Sequence, residues 1–334
     1  SRTTFNIKTI KVQFMQKTFS TLCLSLAISC GSVTLSILPR TSFAAAINFQ
    51  QILQQERAWA GLQSKQVKVE NVMWSYSEGG SSAKPTVLLI HGLAGSRDNW
   101  NRVARYLTPY YHVIIPDLPA HGDTQVTEDF DLTIPNLTEK IRRFVEAGKF
   151  ENQLHIAGHS MGGAIALLYT AQYPLDTQSL LLVDSAGIYK TANTAYLKDP
   201  TLLKDLMVSK AGDFDKLMRL TTETPPFIPN EIKVEQEKMM IAQSKNTQKM
   251  INQLVLMSKT HTPDSFALAT RTIDVPTLII WGKQDKIINV EAAQELKSLL
   301  KKAETPIVLD GVGHMPILEA EQLMVKPYLE FLKK

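Results

Sequence analysis

The sequence predicts an α/β fold, a mostly parallel sheet covered by helices on both faces, with a helical segment inserted before the last strands. Three observations carry this prediction. Short, nearly all-apolar runs recur along the chain, stretches of helical periodicity alternate with them, and one long interval, residues 188–271, breaks the rhythm. Strands that are apolar on both faces belong to a parallel sheet buried between helix layers.

The elements follow in order. Val67 to Tyr76 alternates like an edge strand, and Thr86 to Ile90 and Val113 to Ile115 are short apolar strands with a helical stretch, Asn99 to Leu107, between them. A helix over Ile134 to Ala147 precedes the strand Leu154 to Ala157. The helix Gly163 to Gln172 then leads to the strand Leu180 to Val183. The pattern resumes with the strand Thr277 to Trp281, the helix Val290 to Lys302, the strand Ile307 to Leu309 and a closing helix from Glu319. Between these halves, residues 188–271 lack strand runs, contain Pro225-Pro226-Phe227-Ile228-Pro229 and hold six of the eleven methionines. They are expected to form a helical cap between core segments 47–187 and 272–334. Met250, Leu254 and Met257 recur at helical spacing, and a pliable apolar cap suits a flexible acyl chain.

The first 46 residues read as an N-terminal extension and export signal. Met15-Gln16-Lys17 is a short basic start, Phe19 to Leu38 is uncharged and mostly apolar, and Ser42-Phe43-Ala44-Ala45-Ala46 offers small residues for cleavage near 44–46. A retained membrane span is the first alternative, given the length of the run. A lipoprotein acylated at Cys30, after Ala27-Ile28-Ser29, is the second. Both cysteines, Cys23 and Cys30, lie in this segment, so cleavage near Ala44 would leave no disulfide and no cysteine nucleophile. The formal charge of +4 also arises here. Setting aside Arg2, Lys8, Lys11, Lys17 and Arg40 leaves 31 basic against 32 acidic residues, which gives no basic surface for nucleic acid.

The chemistry centres on Gly158-His159-Ser160-Met161-Gly162, a serine placed where a strand turns sharply into a helix. Such an elbow needs glycines because the neighbouring segments approach too closely for side chains, and its strain exposes the serine oxygen. A serine hydroxyl becomes a competent nucleophile only when a base takes its proton. Of seven histidines, His314 in Gly311-Val312-Gly313-His314 follows an apolar strand, at the same sheet edge as Ser160. His159 is expected to support the elbow and His91 to shape the loop after Ile90, while His112, His155 and His261 are expected to be structural.

The base requires an acid to hold its tautomer. Asp285, in Trp281-Gly282-Lys283-Gln284-Asp285, is preferred, and Asp184, at the end of the preceding strand, is its rival; Asp310 is expected to cap a strand end. Charge developing on a substrate carbonyl requires two aimed backbone N–H groups. These are assigned to Met161, after the nucleophile, and Leu93, in His91-Gly92-Leu93-Ala94-Gly95. The sequence shows no metal cluster and no phosphate-binding glycine loop, and this chemistry needs no cofactor.

With these motifs placed, the chain from about Val69 onward resembles an α/β-hydrolase, whose usual order of site residues is Ser, Asp, His. Within that superfamily it is most similar to the small cold-adapted lipases and esterases of the Moraxella and Psychrobacter type. The strings Asp98-Asn99-Trp100, Ile115-Pro116-Asp117-Leu118, Asp184-Ser185-Ala186-Gly187 and Pro225 to Pro229 carry that narrower similarity. His159, where those lipases carry asparagine, and Ala120, in place of a commoner glycine, depart from it.

The resemblance implies an exported carboxylic ester hydrolase, a triacylglycerol lipase in particular, acting on acylglycerols or other esters with transient contact to a lipid interface. A carbon-carbon bond hydrolase or polyester depolymerase on the same triad is the alternative enzyme. A catalytically idle binding protein of the same fold is the alternative outside catalysis.

Overall fold

The computed structural model describes residues 8–11 and 48–334. The export signal, its cleavage site and Cys30 lie outside the described residues. Among the described residues nine strands form one sheet: β1 (Lys8–Lys11), β2 (Leu62–Val69), β3 (Val72–Gly79), β4 (Thr86–Ile90), β5 (His112–Pro116), β6 (His155–His159), β7 (Ser179–Val183), β8 (Thr277–Gly282) and β9 (Ile307–Asp310). Their order is β1-β9-β8-β7-β6-β4-β5-β3-β2. Pairing is parallel from β5 through β4, β6, β7 and β8 to β9 and β1, and antiparallel only where β3 meets β5 and β2.

The run expected as one edge strand, Val67 to Tyr76, is instead a hairpin. Val69 pairs with Val72 across a two-residue turn in which Glu70 adopts φ 53°. The arms bury Val69, Trp74 and Tyr76, while Lys68 and Met73 stay exposed. The turn was hidden because neither Glu70 nor Asn71 is glycine, the usual residue for such a backbone.

The central strands are buried along their length, and their side chains alternate between two cores. Leu88, Ile90, Ile156, Leu180 and Leu182 face the helices Ile134–Gly148, Met161–Gln172 and Glu291–Leu299. Val87, Leu89, Leu181 and Val183 face Asn101–Leu107 and Glu321–Phe331 on the other side. A sheet covered in this way exposes its strand ends, and a parallel sheet puts all carboxyl ends at one edge, where loops gather.

Between β7 and β8 no strand occurs. Helical segments Ala195–Lys198, Pro200–Leu206, Asp213–Thr221, Asn230–Ala242, Ser244–Thr260 and Pro263–Thr270 fill the interval. Met250 is fully buried, packed into the core beneath this layer, whereas Leu254 and Met257 face a cavity over the sheet edge. Among the described residues no helix is long and apolar enough to cross a membrane.

Candidate active site

Ser160 sits between β6 and the helix Met161–Gln172 with φ 53° and ψ −122°, a strained backbone for a residue with a side chain. Its own peptide groups hold that geometry: Ser160 N–H donates to Val183 O at 3.1 Å, and Ala186 N–H donates to Ser160 O at 2.8 Å. The motif glycines are dictated by contact. A Cβ at Gly158 would lie 2.1 Å from Gly162 O, and one at Gly162 would lie 2.2 Å from Ile90 O.

The loop after β9 brings His314 to the serine. Ser160 Oγ donates to His314 Nε2 at 2.9 Å, and His314 Nδ1–H donates to Asp285 Oδ2 at 2.7 Å. The other oxygen of Asp285 accepts from Ile287 N–H at 2.8 Å and Ile288 N–H at 2.9 Å. Burial pushes the Asp285 carboxyl upward, but the His314 ring and its hydrogen bond outweigh that and hold it below the ordinary carboxylate range. The structure thus joins Asp285, and not Asp184, to the imidazole. Asp184 is fully buried beside them and accepts from Gly282 N–H at 3.1 Å.

Leu93 lies in the loop after β4, pressed against the elbow. A Cβ on the neighbouring Gly92 would meet Ser160 Cβ at 3.1 Å and Met161 N at 3.6 Å. The Leu93 N–H has no acceptor among the described residues. Met161 is the first residue of its helix, so its N–H has no partner one turn back. Gly92 thus packs on the elbow, and neither the Leu93 nor the Met161 N–H has a recorded acceptor among the described residues.

That loop is fixed from three sides. His91 Nδ1–H donates to Gly92 O at 2.8 Å while its Nε2 accepts from Leu118 N–H at 3.0 Å; full burial, then the neighbouring His121, lower its pKa to about 3. His121 Nε2 accepts from Ala94 N–H at 3.2 Å, steadying a residue whose φ is 58°. Arg97 is ion-paired with buried Asp117, which also accepts the Arg97 N–H at 2.7 Å, and Arg57 grips both oxygens of Asp98 at 2.8 and 2.7 Å. The strings around Asp98 and Asp117 are therefore anchors of the loop. His159 does more than support the elbow, since its Nε2–H reaches His314 O at 2.7 Å.

Two groupings had no sequence signal because they join segments far apart. Gln284 Oε1 accepts from Gly311 N–H at 2.7 Å and Val312 N–H at 3.1 Å, tying the acid loop to the histidine loop, while its Nε2 donates to Asp310 at 2.9 Å. Glu319 accepts from Gly313 and Met315 on one side and from Glu223 at 2.6 Å and Thr224 at 2.9 Å on the other. His314 N–H also donates to Thr221 O at 2.8 Å, so the end of the helix Asp213–Thr221 is bonded to the site.

Ser160 and His314 open into a cavity of about 2370 Å³ lined mainly by apolar side chains, among them Leu206, Phe214, Met218, Leu254, Met257 and Phe266. A mainly apolar lining of this kind suits an extended apolar substrate.

Comparison with known proteins agrees with this architecture. A family model described as alpha/beta hydrolase fold matches residues 85–321. The chain is 32% identical to Lipase 1 of Psychrobacter immobilis over 302 residues, 90% of this chain and 92% of the lipase. It is 30% identical to Lipase 3 of Moraxella sp. strain TA144, covering 84% and 88%. The solved Lip1 structure of Acinetobacter baumannii superposes with a TM-score of 0.85 at 66% identity, covering 86% of this chain and 96% of that one. With its fold, its serine–histidine–aspartate arrangement and these relatives in agreement, the chain belongs to the α/β-hydrolase family and is a serine ester hydrolase within it.

Proposed function

We propose that this enzyme is an exported lipase that hydrolyses acylglycerols, triacylglycerols above all, through Ser160, His314 and Asp285. One observation carries the proposal: a serine hydrogen-bonded to a buried imidazole–carboxylate pair opens onto an apolar cavity of about 2370 Å³. That volume exceeds the roughly 300–1,000 Å³ that encloses an ordinary small ligand, and fits the several chains of an acylglycerol.

The chemistry follows from the hydrogen bonds. As Ser160 Oγ attacks the ester carbonyl, its proton passes to His314 Nε2, and Asp285 stabilises the imidazolium through Nδ1–H. The carbonyl oxygen, gaining charge, is met by the N–H groups of Leu93 and Met161. His314 returns the proton to the departing alcohol, leaving an acyl-enzyme. A water deprotonated by the same histidine then releases the fatty acid. Residues 188–271 act as the lid over this cavity, and contact with a lipid interface is transient.

The export reading rests on the sequence of residues 15–46. Hydrolysis of p-nitrophenyl esters and of emulsified triacylglycerols of graded chain length tests the activity. Ser160→Ala should abolish both, and undiminished turnover in that variant would refute the assignment. Mass spectrometry of the mature N-terminus tests cleavage near 44–46 against acylation at Cys30.

A further inference from the structure

Asp184 is a second buried carboxyl group behind the proposed triad. It ends β7, holds φ 42° and is fully shielded from solvent. Its oxygens, those of Asp285 and the nitrogens of His314 offer atoms that all lie within 4.8 Å of one another. Both carboxyls are buried, and at this approach a proton on one of them would let it donate to the other. Carboxylate oxygens only accept, so a hydrogen bond between two such groups requires a proton on one of them.

The surrounding donors decide which. Asp285 accepts from Ile287 N–H, Ile288 N–H and His314 Nδ1–H, an environment that stabilises an anion. Asp184 has one backbone donor, Gly282 N–H. The ionisable groups that act on it most strongly are the carboxyls of Asp285 and Glu319. Glu319 lies on the segment after β9, and the Tyr189 hydroxyl is occupied in donating to Ser185 O at 2.7 Å. Two anions in contact without solvent would repel strongly.

We propose, building on the triad of the preceding section, that Asp184 is a positioning acid that stays protonated throughout the reaction and donates its O–H to the Asp285 carboxylate. The bond fixes the rotamer of Asp285, so that Oδ2 remains aimed at His314 while the imidazole gains and loses its proton. Burial, then the neighbouring Asp285 charge, push Asp184 well above the usual carboxylate range, in the sense this role needs. The proton on Asp184 does not enter the reaction. It makes the two carboxyls a pair of net charge −1, so the imidazolium faces one negative charge.

The test combines two substitutions with a spectroscopic measurement. Asp184→Leu removes the donor and should lower kcat about thirtyfold with little change in KM, while Asp184→Asn, whose amide still donates, should recover most of that loss. The acid limb of kcat/KM in Asp184→Asn should keep its wild-type position. An ionised Asp184 would instead give a limb displaced to lower pH by about one unit or more, because neutralising it would remove a full charge from beside the base. The infrared difference between wild type and Asp184→Asn at neutral pH should contain the C=O stretch of a protonated carboxylic acid. A displaced limb, equal kcat in the Leu and Asn variants, or absence of that band would each overturn the proposal. The band persists in Ser160→Ala whatever the substrate, so its failure is distinguishable from failure of the proposed lipase activity.

Discussion

The imidazole of His159 donates from Nε2–H to the backbone oxygen of His314 at 2.7 Å, with the two rings 5.0 Å apart. The residue beside Ser160 thereby holds the main chain of the histidine whose ring is hydrogen-bonded to Ser160 Oγ, across 154 positions of sequence from Ser160 to His314. Replacing His159 by phenylalanine keeps a ring but leaves the His314 carbonyl without its donor. We expect kcat to fall about tenfold to a hundredfold, since small misplacements of a base are costly. His159→Asn, which can still donate, should lose less than fivefold. Steady-state hydrolysis of p-nitrophenyl butyrate by both variants checks this.

Glu319 is the clamp between the helical insertion and the histidine loop. Removing it in Glu319→Ala orphans N–H groups of Gly313, Met315, Glu223 and Thr224 together. Unpaired buried donors cost about 1–3 kcal/mol each, less where water can enter, so a total loss of about 2–4 kcal/mol is expected. Urea denaturation measures it. Glu319→Gln keeps an accepting oxygen and should lie nearer to wild type.

Burial, followed by a neighbouring histidine in each case, lowers the pKa of both His91 and His159 to about 3, and both rings are neutral in the fold. In the unfolded chain they titrate near 6.5, so between about 6.5 and about 3 the unfolded state binds protons that the folded state refuses. Stability is therefore undiminished above that window and is lost as pH falls through it, by about 1.4 kcal/mol per pH unit for each ring. Asp184, whose shift is upward, acts oppositely, contributing stability at low pH that is lost as pH rises above the ordinary carboxylate value. Calorimetric proton uptake on unfolding at pH 5 should fall by about one proton in His159→Asn, and an unchanged uptake would contradict the assignment.

The cavity wall is expected to set acyl-chain length. Leu254 and Met257, on the helix Ser244–Thr260, and Leu206, on the segment Pro200–Leu206, line the same cavity. Filling it with Met257→Trp or Leu206→Trp should depress kcat/KM for long-chain esters at least tenfold relative to butyrate, leaving butyrate turnover nearly intact. A uniform loss across chain lengths would place those side chains away from the acyl path.

The order of strands and helices was legible in the sequence because each depends on periodicity within ten to fifteen residues. The elbow, the Leu93 loop, Asp285 and His314 were legible for a related reason. Each sits in a loop directly after an apolar run, and a parallel sheet gathers such loops at one edge. The hairpin at Glu70 was not legible, since Asn71 is the only turn-forming residue there and no glycine accompanies it.

What the sequence alone determined is therefore which residues meet at that edge. It favoured Asp285 over Asp184 by its loop alone, since both follow adjacent parallel strands, β7 and β8, and satisfy the same chain order. Only the tertiary structure decided this, by carrying the loop after β9 so that His314 Nδ1 faces Asp285, with Asp184 behind it. The same holds for Glu319, His159 and Gln284, which bridge segments up to 155 residues apart. Hydrogen-bond geometry is fixed to a few tenths of an ångström, and such precision comes from long-range packing that no local pattern encodes.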